Sequence, residues 1–149
     1  MSDFNVEITW QHAPRAGHPD DYGRSHQWRL TGGQTLRASA APDYAGDANH
    51  TNPEEGLIAA VSSCHMLTFL ALAAKRGFKV SSYRDQATGT LGKNGQGRMA
   101  ITGVVLHPVI AFDGAAPSGE ELDKLHESAH RNCFIANSIT AEVRVEPTE

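Results

Sequence analysis

The chain has 149 residues, a formal net charge of −4 and a sequence pI of about 6.0, which argue against nucleic acid or an anionic membrane as its partner. This length favours a single domain over residues 1–149 that buries a core without disulfide staples. The two cysteines, Cys64 and Cys133, are too few for a secreted disulfide scaffold and lack the spacing of a zinc ribbon.

The N-terminal third of the sequence predicts an antiparallel meander. Phe4–Trp10 alternates apolar and polar residues, which is typical of a half-buried strand. This segment has neither the basic start nor the apolar run of a signal peptide, so we expect a cytoplasmic protein. Residues 11–23 hold two prolines and two glycines and predict a loop. Two further strands, around residues 25–30 and 35–40, flank the tight turn Thr31–Gln34.

A polar loop precedes the longest predicted helix, Asn52–Gly77. Asn52 is a suitable N-cap, Glu55 completes the spacing of a capping box, and Gly77 supplies a left-handed stop. The segment Leu57–Ala74 carries no formal charge, so the helix is expected in the middle of the fold. That segment has about the minimum length of a membrane span, but its internal polar residues and its sheet-like flanks favour a soluble protein.

The second half of the sequence predicts a hairpin, a shorter helix and a last strand. Ser118 and Glu121 have capping-box spacing at the start of that helix. The predicted elements are a strand over 79–91, a turn over 92–97, an apolar strand over 99–110, a helix from Gly119 to about Asn132 and a strand over 139–145. This order of elements indicates an α+β fold with mostly antiparallel pairing.

The two cysteines allow two interpretations. Free cysteines are often buried and inert, so a structural role is one of them. The other is a redox pair, in which one thiolate attacks an oxidant to become a sulfenic acid and the other resolves it as a disulfide. The redox interpretation requires a lowered thiol pKa, and therefore a cation near the attacking cysteine.

Two segments resemble the cysteine motifs of the OsmC/Ohr superfamily, the osmotically inducible and organic hydroperoxide resistance proteins. Thr51–Glu55, followed by Cys64 within an Ala/Ser-rich helix, is similar to the first motif, and Cys133–Ser138 is similar to the second. The resemblance covers essentially the whole chain. It implies an OsmC-like fold, with antiparallel sheets wrapped around a long central buried helix, in an intertwined homodimer.

The resemblance also implies an activity, namely the reduction of organic and inorganic hydroperoxides by two cysteines without a metal or prosthetic group. Carried over to this chain, Cys64 is the peroxidatic thiol and Cys133 the resolving thiol. Glu54 is the carboxylate that positions an activating arginine. The substrate is then a hydroperoxide, and an external dithiol regenerates the protein from its disulfide form.

Helix geometry separates Glu54 from Cys64. Ten residues of helix correspond to about 15 Å of rise, and the two side chains point about 80° apart. Glu54 therefore cannot serve Cys64 directly within one chain. Either a long cation bridges the gap or Glu54 comes from a second subunit, so we expect an obligate dimer.

Two positions depart from the superfamily pattern. Tyr44 stands in the loop where the OsmC branch has its arginine, and Phe134 follows Cys133 where family members commonly have proline. In the Ohr branch the arginine comes from the N-terminal hairpin, which makes Arg24 our candidate, with a solvated surface residue as its alternative. Arg131 offers a further positive charge near the second cysteine.

These departures favour a second hypothesis, a non-catalytic OsmC-like dimer that binds a small apolar ligand at its interface. The spacing of His126, His130 and Cys133 suggests a metal site as a third hypothesis. His65 follows Cys64 on the helix and therefore points to another face. We expect it to be a buried, hydrogen-bonded histidine rather than a catalytic base.

Overall fold

The computed structural model describes residues 1–147, so residues 148 and 149 of the predicted domain lie outside the described part. Its helices and mainly antiparallel sheets confirm the predicted α+β fold. The described elements are the strands β1 (Val6–Thr9), β2 (Pro14–Arg15), β3 (His18–Tyr22), β4 (His26–Leu30), β5 (Thr35–Ala38), β6 (Val80–Asp85), β7 (Thr88–Lys93), β8 (Met99–Leu106), β9 (Pro108–Phe112) and β10 (Glu142–Val145), the helices α1 (Pro53–Lys75) and α2 (Gly119–Arg131), and the short 3-10 helices Pro42–Tyr44 and Ala136–Ser138. The chain divides into two compact units, residues 1–56 and the residues from 57 onward. That they form one domain stays a prediction.

The N-terminal unit contains the predicted three-stranded meander, with the strand order β1-β4-β5. Trp28, in the middle of β4, pairs with Ile8 on one side and with Leu36 on the other. The prediction of a loop over residues 11–23 is wrong, because β2 and β3 form a hairpin there. Gly17, with a φ of 77°, makes the reversal between these strands. Their polar sequence has no apolar alternation, so pattern analysis misses them.

One face of the meander carries the apolar side chains of all three strands. We call it the N-terminal apolar face; it consists of Val6, Ile8, Trp28, Leu30 and Leu36. Gly56, in the first turn of α1, lies against Trp28, where an added Cβ would be 2.6 Å from the indole ring. Val6, Ile8 and Leu36 remain exposed, so the prediction that the first strand is half-buried is wrong within this chain.

The caps of α1 follow the sequence. The Asn52 side chain accepts a hydrogen bond from the Glu55 backbone N–H at 2.9 Å and donates one to Glu55 Oε1 at 2.7 Å. These bonds satisfy backbone donors of the first turn that have no partner within the helix. Gly77, with a φ of 82°, ends the helix in the left-handed conformation expected of a C-terminal glycine.

The burial of α1 within this chain is concentrated on one side. Its fully buried residues are Val61, His65, Phe69 and Ala73, which lie four apart along a single line. Leu67, on another side, is 61% exposed. Among the described residues, α1 alone is long and apolar enough by length and composition to span a membrane, a property that it shares with core helices of soluble proteins.

The C-terminal unit contains the sheet β10-β8-β7 and the pair β6-β9. Each of the single strands predicted over 79–91 and 99–110 is two strands in the structure. Apolar residues continue up to each break, so the sequence pattern does not reveal it. At the break between β8 and β9, the His107 backbone N–H donates to Asp85 Oδ1 at 2.6 Å. The β10 strand pairs with β8 in parallel, which is the exception to the antiparallel pairing.

Two apolar clusters form the core of this unit. In the first, Phe69 of α1 packs with Leu125 of α2, which begins with the predicted capping box. In the second, Val61 of α1 packs with Val104 of β8 and with Ile135. Because Val61 and Ile135 share a cluster, the segment that follows α2 is held against the middle of α1.

Candidate functional site

The C-terminal unit brings its two cysteines together. Cys64 lies near the middle of α1 and is half-buried, whereas Cys133 lies two residues after the end of α2 and is fully buried. Both are free thiols, and they lie close enough that each shifts the pKa of the other. The structure therefore assembles a dithiol from two positions that are far apart in sequence.

A compact turn from Cys133 to Ser138 positions the second thiol. The Cys133 carbonyl oxygen accepts a hydrogen bond from the Asn137 N–H at 3.0 Å, and the Ser138 hydroxyl donates to the Phe134 carbonyl oxygen at 2.7 Å. The Asn137 side chain also donates to the Arg131 carbonyl oxygen at 3.2 Å, which ties the turn to the end of α2. These bonds fix the backbone that surrounds both sulfurs.

The environment of Cys64 favours its thiolate. Burial by itself raises the pKa of this thiol, but hydrogen-bond donors around the sulfur outweigh the effect and hold the pKa below its ordinary value. These donors are the backbone N–H of Ile135, the Cys133 thiol, the backbone N–H of Phe134 and the Thr68 hydroxyl, in order of decreasing effect. No guanidinium is among them. The charge is therefore stabilised mainly by neutral donors.

The pKa of the Cys133 thiol is shifted in the opposite direction. Burial raises its pKa above the ordinary value, and the neighbouring Cys64 sulfur raises it further. The Ala136 backbone N–H, which donates to Cys133 Sγ at 3.4 Å, opposes this only in part. As the pH rises, the pair therefore ionises first at the accessible sulfur and later at the buried one. This is the arrangement that a nucleophile and its resolving partner require.

Glu54 belongs to the N-terminal unit, in the first turn of α1. Its Oε2 atom is buried, and no residue from 1 to 147 donates a hydrogen bond to it. Among the described residues, Glu54 also makes no salt bridge. A buried carboxylate oxygen without a donor is costly, so this position suits a cation from outside the described chain.

Arg24 also lies in the N-terminal unit, where its nearest partner is Asp21. Its Nη1 atom donates to Asp21 Oδ2 and to the Tyr22 carbonyl oxygen, each at 2.6 Å, and its guanidinium stacks over the Tyr22 ring at 4.0 Å. The hydrogen bond from Arg24 lowers the pKa of Asp21. The second arginine of this hairpin, Arg15, approaches the same carboxylate at 3.6 Å. Asp21, rather than Glu54, thus holds both arginines within this unit.

The histidines form a separate buried group. His65 Nε2 and His126 Nδ1 are 3.0 Å apart, and both rings are almost completely buried. This is the hydrogen-bonded core histidine that the sequence predicts, although His65 Nδ1 has no partner among the described residues. Within residues 1–147, no three His, Cys, Asp or Glu side chains are placed to hold a metal ion. The hypothesis of a metal site at His126, His130 and Cys133 is therefore wrong for the described chain.

Sequence reasoning places the two cysteines but misses the groups that stabilise the charge of Cys64. It looks for an arginine, at Arg24 or at the position of Tyr44, and it notes Arg131 as a local charge. Backbone N–H groups leave no trace in a sequence except where proline removes them. The one sequence signal of these donors is that residue 134 is not proline and therefore has an N–H. Only the fold shows which group that N–H approaches.

Comparison with known proteins identifies the class of this fold. A family model described as OsmC-like protein matches residues 46–148. The solved structure of an OsmC-like protein of unknown function from Vibrio cholerae O1 is 41% identical, with a TM-score of 0.92 over 99% of this chain and 100% of that one. The chain therefore belongs to the OsmC-like family, which confirms the resemblance seen in its cysteine motifs. Among curated proteins, none matches it.

More distant structures share the fold. One is an organic hydroperoxide resistance protein OsmC from Legionella pneumophila, at 18% identity and a TM-score of 0.76 over 100% of this chain and 98% of that one. Another is the organic hydroperoxide resistance protein OhrB of Bacillus subtilis, at 18% identity and a TM-score of 0.67 over 97% and 98% of the two chains. At these identities the comparison establishes the OsmC-like fold of this chain.

Proposed function

We propose that this chain is a thiol-dependent peroxidase that reduces organic, and also inorganic, hydroperoxides through Cys64 and Cys133. The observation that carries the proposal is the asymmetry of the dithiol. Hydrogen-bond donors hold the pKa of the half-buried Cys64 thiol below its ordinary value, and burial raises the pKa of the Cys133 thiol beside it. The hydroperoxide resistance proteins that share its fold support the same function.

The chemistry has two steps on the protein. In the first, the Cys64 thiolate attacks the terminal oxygen of the hydroperoxide, the O–O bond breaks, and Cys64 becomes a sulfenic acid while the leaving alkoxide takes up a proton to form an alcohol. In the second, the Cys133 sulfur attacks the sulfenic sulfur, a disulfide forms, and the hydroxyl group leaves with the Cys133 proton as water. An external dithiol then reduces the disulfide and restores both thiols.

Glu54 and Arg24 are proposed to complete the active site as the superfamily resemblance implies. Glu54 would hold the activating arginine, and its buried Oε2 atom, without a donor among residues 1–147, supports a cation at that position. Arg24 is the candidate arginine. Its ion pair with Asp21 at 2.6 Å keeps the guanidinium in a fixed orientation within its hairpin.

We propose a homodimer as the active form. The exposed part of the N-terminal apolar face and the exposed Leu67 on α1 are the kind of surface that a second subunit covers. Native mass spectrometry should therefore give about twice the monomer mass of 16.0 kDa. Leu36→Lys, on this face, should weaken the dimer, whereas Arg29→Glu, on the opposite exposed face of β4, should not. A monomer at micromolar concentration for the wild type would overturn this part of the proposal.

We propose that the protein acts in the cytoplasm. The decisive experiment measures its consumption of cumene hydroperoxide, with dithiothreitol as the external dithiol. Cys64→Ser should reduce the rate to that of the reagent alone. Cys133→Ser should accumulate a Cys64 sulfenic acid that dimedone traps. Ser63→Ala, at the exposed position beside Cys64, is the matched control and should keep the wild-type rate. Equal rates in all four proteins would rule out the redox mechanism.

A second candidate is a non-catalytic dimer that binds a small apolar ligand. A shallow apolar cavity of about 420 Å³ in the N-terminal unit favours it; the cavity is lined by Ile8, Trp10, Tyr22, Arg24 and His26. Thiol titration distinguishes the candidates. A Cys64 that resists alkylation and titrates at its ordinary pKa would favour binding, whereas a reactive Cys64 would favour the peroxidase.

A further inference from the structure

A groove of about 270 Å³ lies between α2 and β10, within the C-terminal unit. We call it the α2–β10 groove. Neither cysteine is among its lining residues, so its chemistry is separate from that of the dithiol. One wall is a single face of α2, and the other carries alternate apolar side chains of β10. The α2 wall consists of Asp123, His126, Glu127 and His130, and the opposite wall includes Val143 and Val145.

His126 brings an unsatisfied imidazole nitrogen to this groove. Its side chain is only 4% exposed, and its Nδ1 atom is 3.0 Å from His65 Nε2. The two nitrogens of an imidazole point in different directions, so His126 Nε2 lies on the part of the ring that is turned away from His65. That atom is buried and has no hydrogen-bond partner among residues 1–147. A buried polar atom without a partner is costly, so this position favours a ligand that completes the hydrogen bond.

The imidazole of His126 is a neutral hydrogen-bond acceptor at this position. Burial lowers the pKa of His126 to about 4, so the ring is uncharged at neutral pH. In the tautomer whose Nδ1 donates to His65, the Nε2 atom is an acceptor. His130, one turn further along the same face of α2, has a second buried nitrogen, Nδ1, without a partner in the described part of the chain.

The charges that line the groove are negative. The carboxylates of Asp123 and Glu127 are both exposed, and neither forms a salt bridge with another of the described residues. Glu120, in the first turn of the same helix and outside the groove, is instead paired with Lys124 at 3.4 Å. Within residues 1–147, no lysine or arginine lines the groove. The groove therefore repels an anion and attracts a cation.

Two other kinds of ligand fit the groove less well. His126, Glu127 and His130 have the His-Glu-x-x-His spacing of a helical zinc motif, but a zinc site needs a third protein ligand. No third ligand is placed for it among residues 1–147. A neutral apolar molecule would contact the valine wall and leave His126 Nε2 unpaired. A cation that carries both N–H donors and an apolar chain matches every wall of the groove.

We propose that the α2–β10 groove binds a small protonated alkyl amine. Its ammonium group donates to His126 Nε2 and lies beside the carboxylates of Asp123 and Glu127, while its alkyl chain packs against Val143 and Val145. An ammonium group has three N–H donors and no acceptor, which suits a neutral imidazole acceptor flanked by two carboxylates. This binding site goes beyond the peroxidase function and does not depend on it.

The probe is n-hexylammonium, with hexanoate and 1-hexanol as the matched anionic and neutral compounds of the same chain length. Isothermal titration calorimetry at pH 7 measures the Kd of each, and ¹⁵N NMR of the His126 imidazole reports contact at Nε2. We expect n-hexylammonium to bind about tenfold or more tightly than either comparison compound, because only its head group is a charged donor. Removal of one methylene group from the chain should weaken binding by up to about fourfold.

A matched pair of variants locates the site. Glu127→Gln keeps the size of an exposed side chain in the groove and removes its charge, so it should weaken binding of n-hexylammonium by about threefold. Glu120→Gln, outside the groove on the same helix, should leave the Kd unchanged.

Four results would overturn the proposal: no saturable binding of n-hexylammonium, equal affinity for hexanoate, an unchanged Kd in Glu127→Gln, or binding that leaves the His126 nitrogen resonances unshifted. Amine binding in a protein without peroxidase activity would remove the proposed function and leave this site intact.

Discussion

Cys64 and His65 are neighbours on α1, yet their side chains lie in opposite electrostatic environments. Cys64 is half-buried among backbone N–H and hydroxyl donors that favour its anion. His65 is almost completely buried, and burial together with the nearby His126 and His130 lowers its pKa to about 4, so its cation is disfavoured. Burial opposes the charged form of both groups. The donors that accompany it at Cys64 decide which of the two becomes reactive.

The side of α1 that carries His65, packed against His126, is called the imidazole side here. Its packing is stable only when both imidazoles are neutral. His65 and His126 stack with their ring centroids 5.3 Å apart, and Phe69 stacks on His126 at 4.6 Å. One hydrogen bond joins the two imidazoles, while His65 Nδ1 and His126 Nε2 are buried without partners among the described residues. A proton on either ring would place a charge in this core, where no carboxylate among residues 1–147 is hydrogen-bonded to it.

The largest expected effect is on the packing of the imidazole side. Phe69 is fully buried, so Phe69→Ala should lower the free energy of unfolding by about 3 to 5 kcal/mol, as measured by urea denaturation. Leu67→Ala, at an exposed position two residues away, is the control and should cost much less in the monomer. A loss below about 1 kcal/mol for Phe69→Ala would contradict the view that this side of α1 is the packed one.

The second prediction concerns acid stability. The folded-state pKa values of His65 and His126 are both about 4, below the ordinary value of 6.5, so the unfolded chain binds protons first as the pH falls. The stability that depends on these neutral rings is therefore complete above pH 6.5, declines between pH 6.5 and 4, and declines no further below that. The difference between 6.5 and about 4 corresponds to about 3 kcal/mol for each ring, so we expect the pair to lose between about 3 and 7 kcal/mol.

A double variant tests this assignment. His65→Leu combined with His126→Leu replaces both imidazoles by apolar side chains, so urea denaturation between pH 7 and 4 should show a smaller decline than in the wild type. NMR titration of the wild-type imidazoles gives an independent measurement. A ring of this pair that protonates near pH 6.5 in the folded protein would refute the prediction.

The two sides of α1 also show which features of the structure can be predicted from the sequence. The caps of α1 and α2, the N-terminal meander and the positions of both cysteines follow from local patterns, because caps, alternation and motif spacing are short-range features. The hairpin from Pro14 to Tyr22 does not, because its polar strands have no alternation. The His65–His126 contact and the N–H groups at Phe134 and Ile135 depend on tertiary packing, which no local pattern contains.

The third prediction concerns the accessibility and ionisation of the dithiol. Cys64 is half-buried with a lowered pKa, whereas Cys133 is fully buried with a raised pKa. Iodoacetamide should therefore label Cys64 at least about tenfold faster than Cys133 at pH 7, since the thiolate is the reacting form. Peptide mass spectrometry of the reduced protein measures both rates together. Equal labelling would mean that the two sulfurs are not distinguished in solution.

The smallest expected effect concerns the side-chain donor next to Cys64. The Thr68 hydroxyl donates to the Cys64 carbonyl oxygen at 2.8 Å, and it also lowers the pKa of the thiol, less than the backbone donors do. A single hydroxyl proton divided between two acceptors contributes little to either. Thr68→Val should therefore slow alkylation of Cys64 at pH 7 by about twofold, and Thr68→Ser, which keeps the hydroxyl, should not.

The result for Thr68 ranks the hydrogen-bond donors around the Cys64 sulfur. A loss of about tenfold in Thr68→Val would make the side chain, not the backbone, the main stabiliser of the thiolate. A rate equal to that of the wild type would assign the hydroxyl to the carbonyl oxygen alone. In that case the stabilisation of Cys64 would come from the turn after Cys133, since the thiol and the N–H groups that remain all belong to that segment.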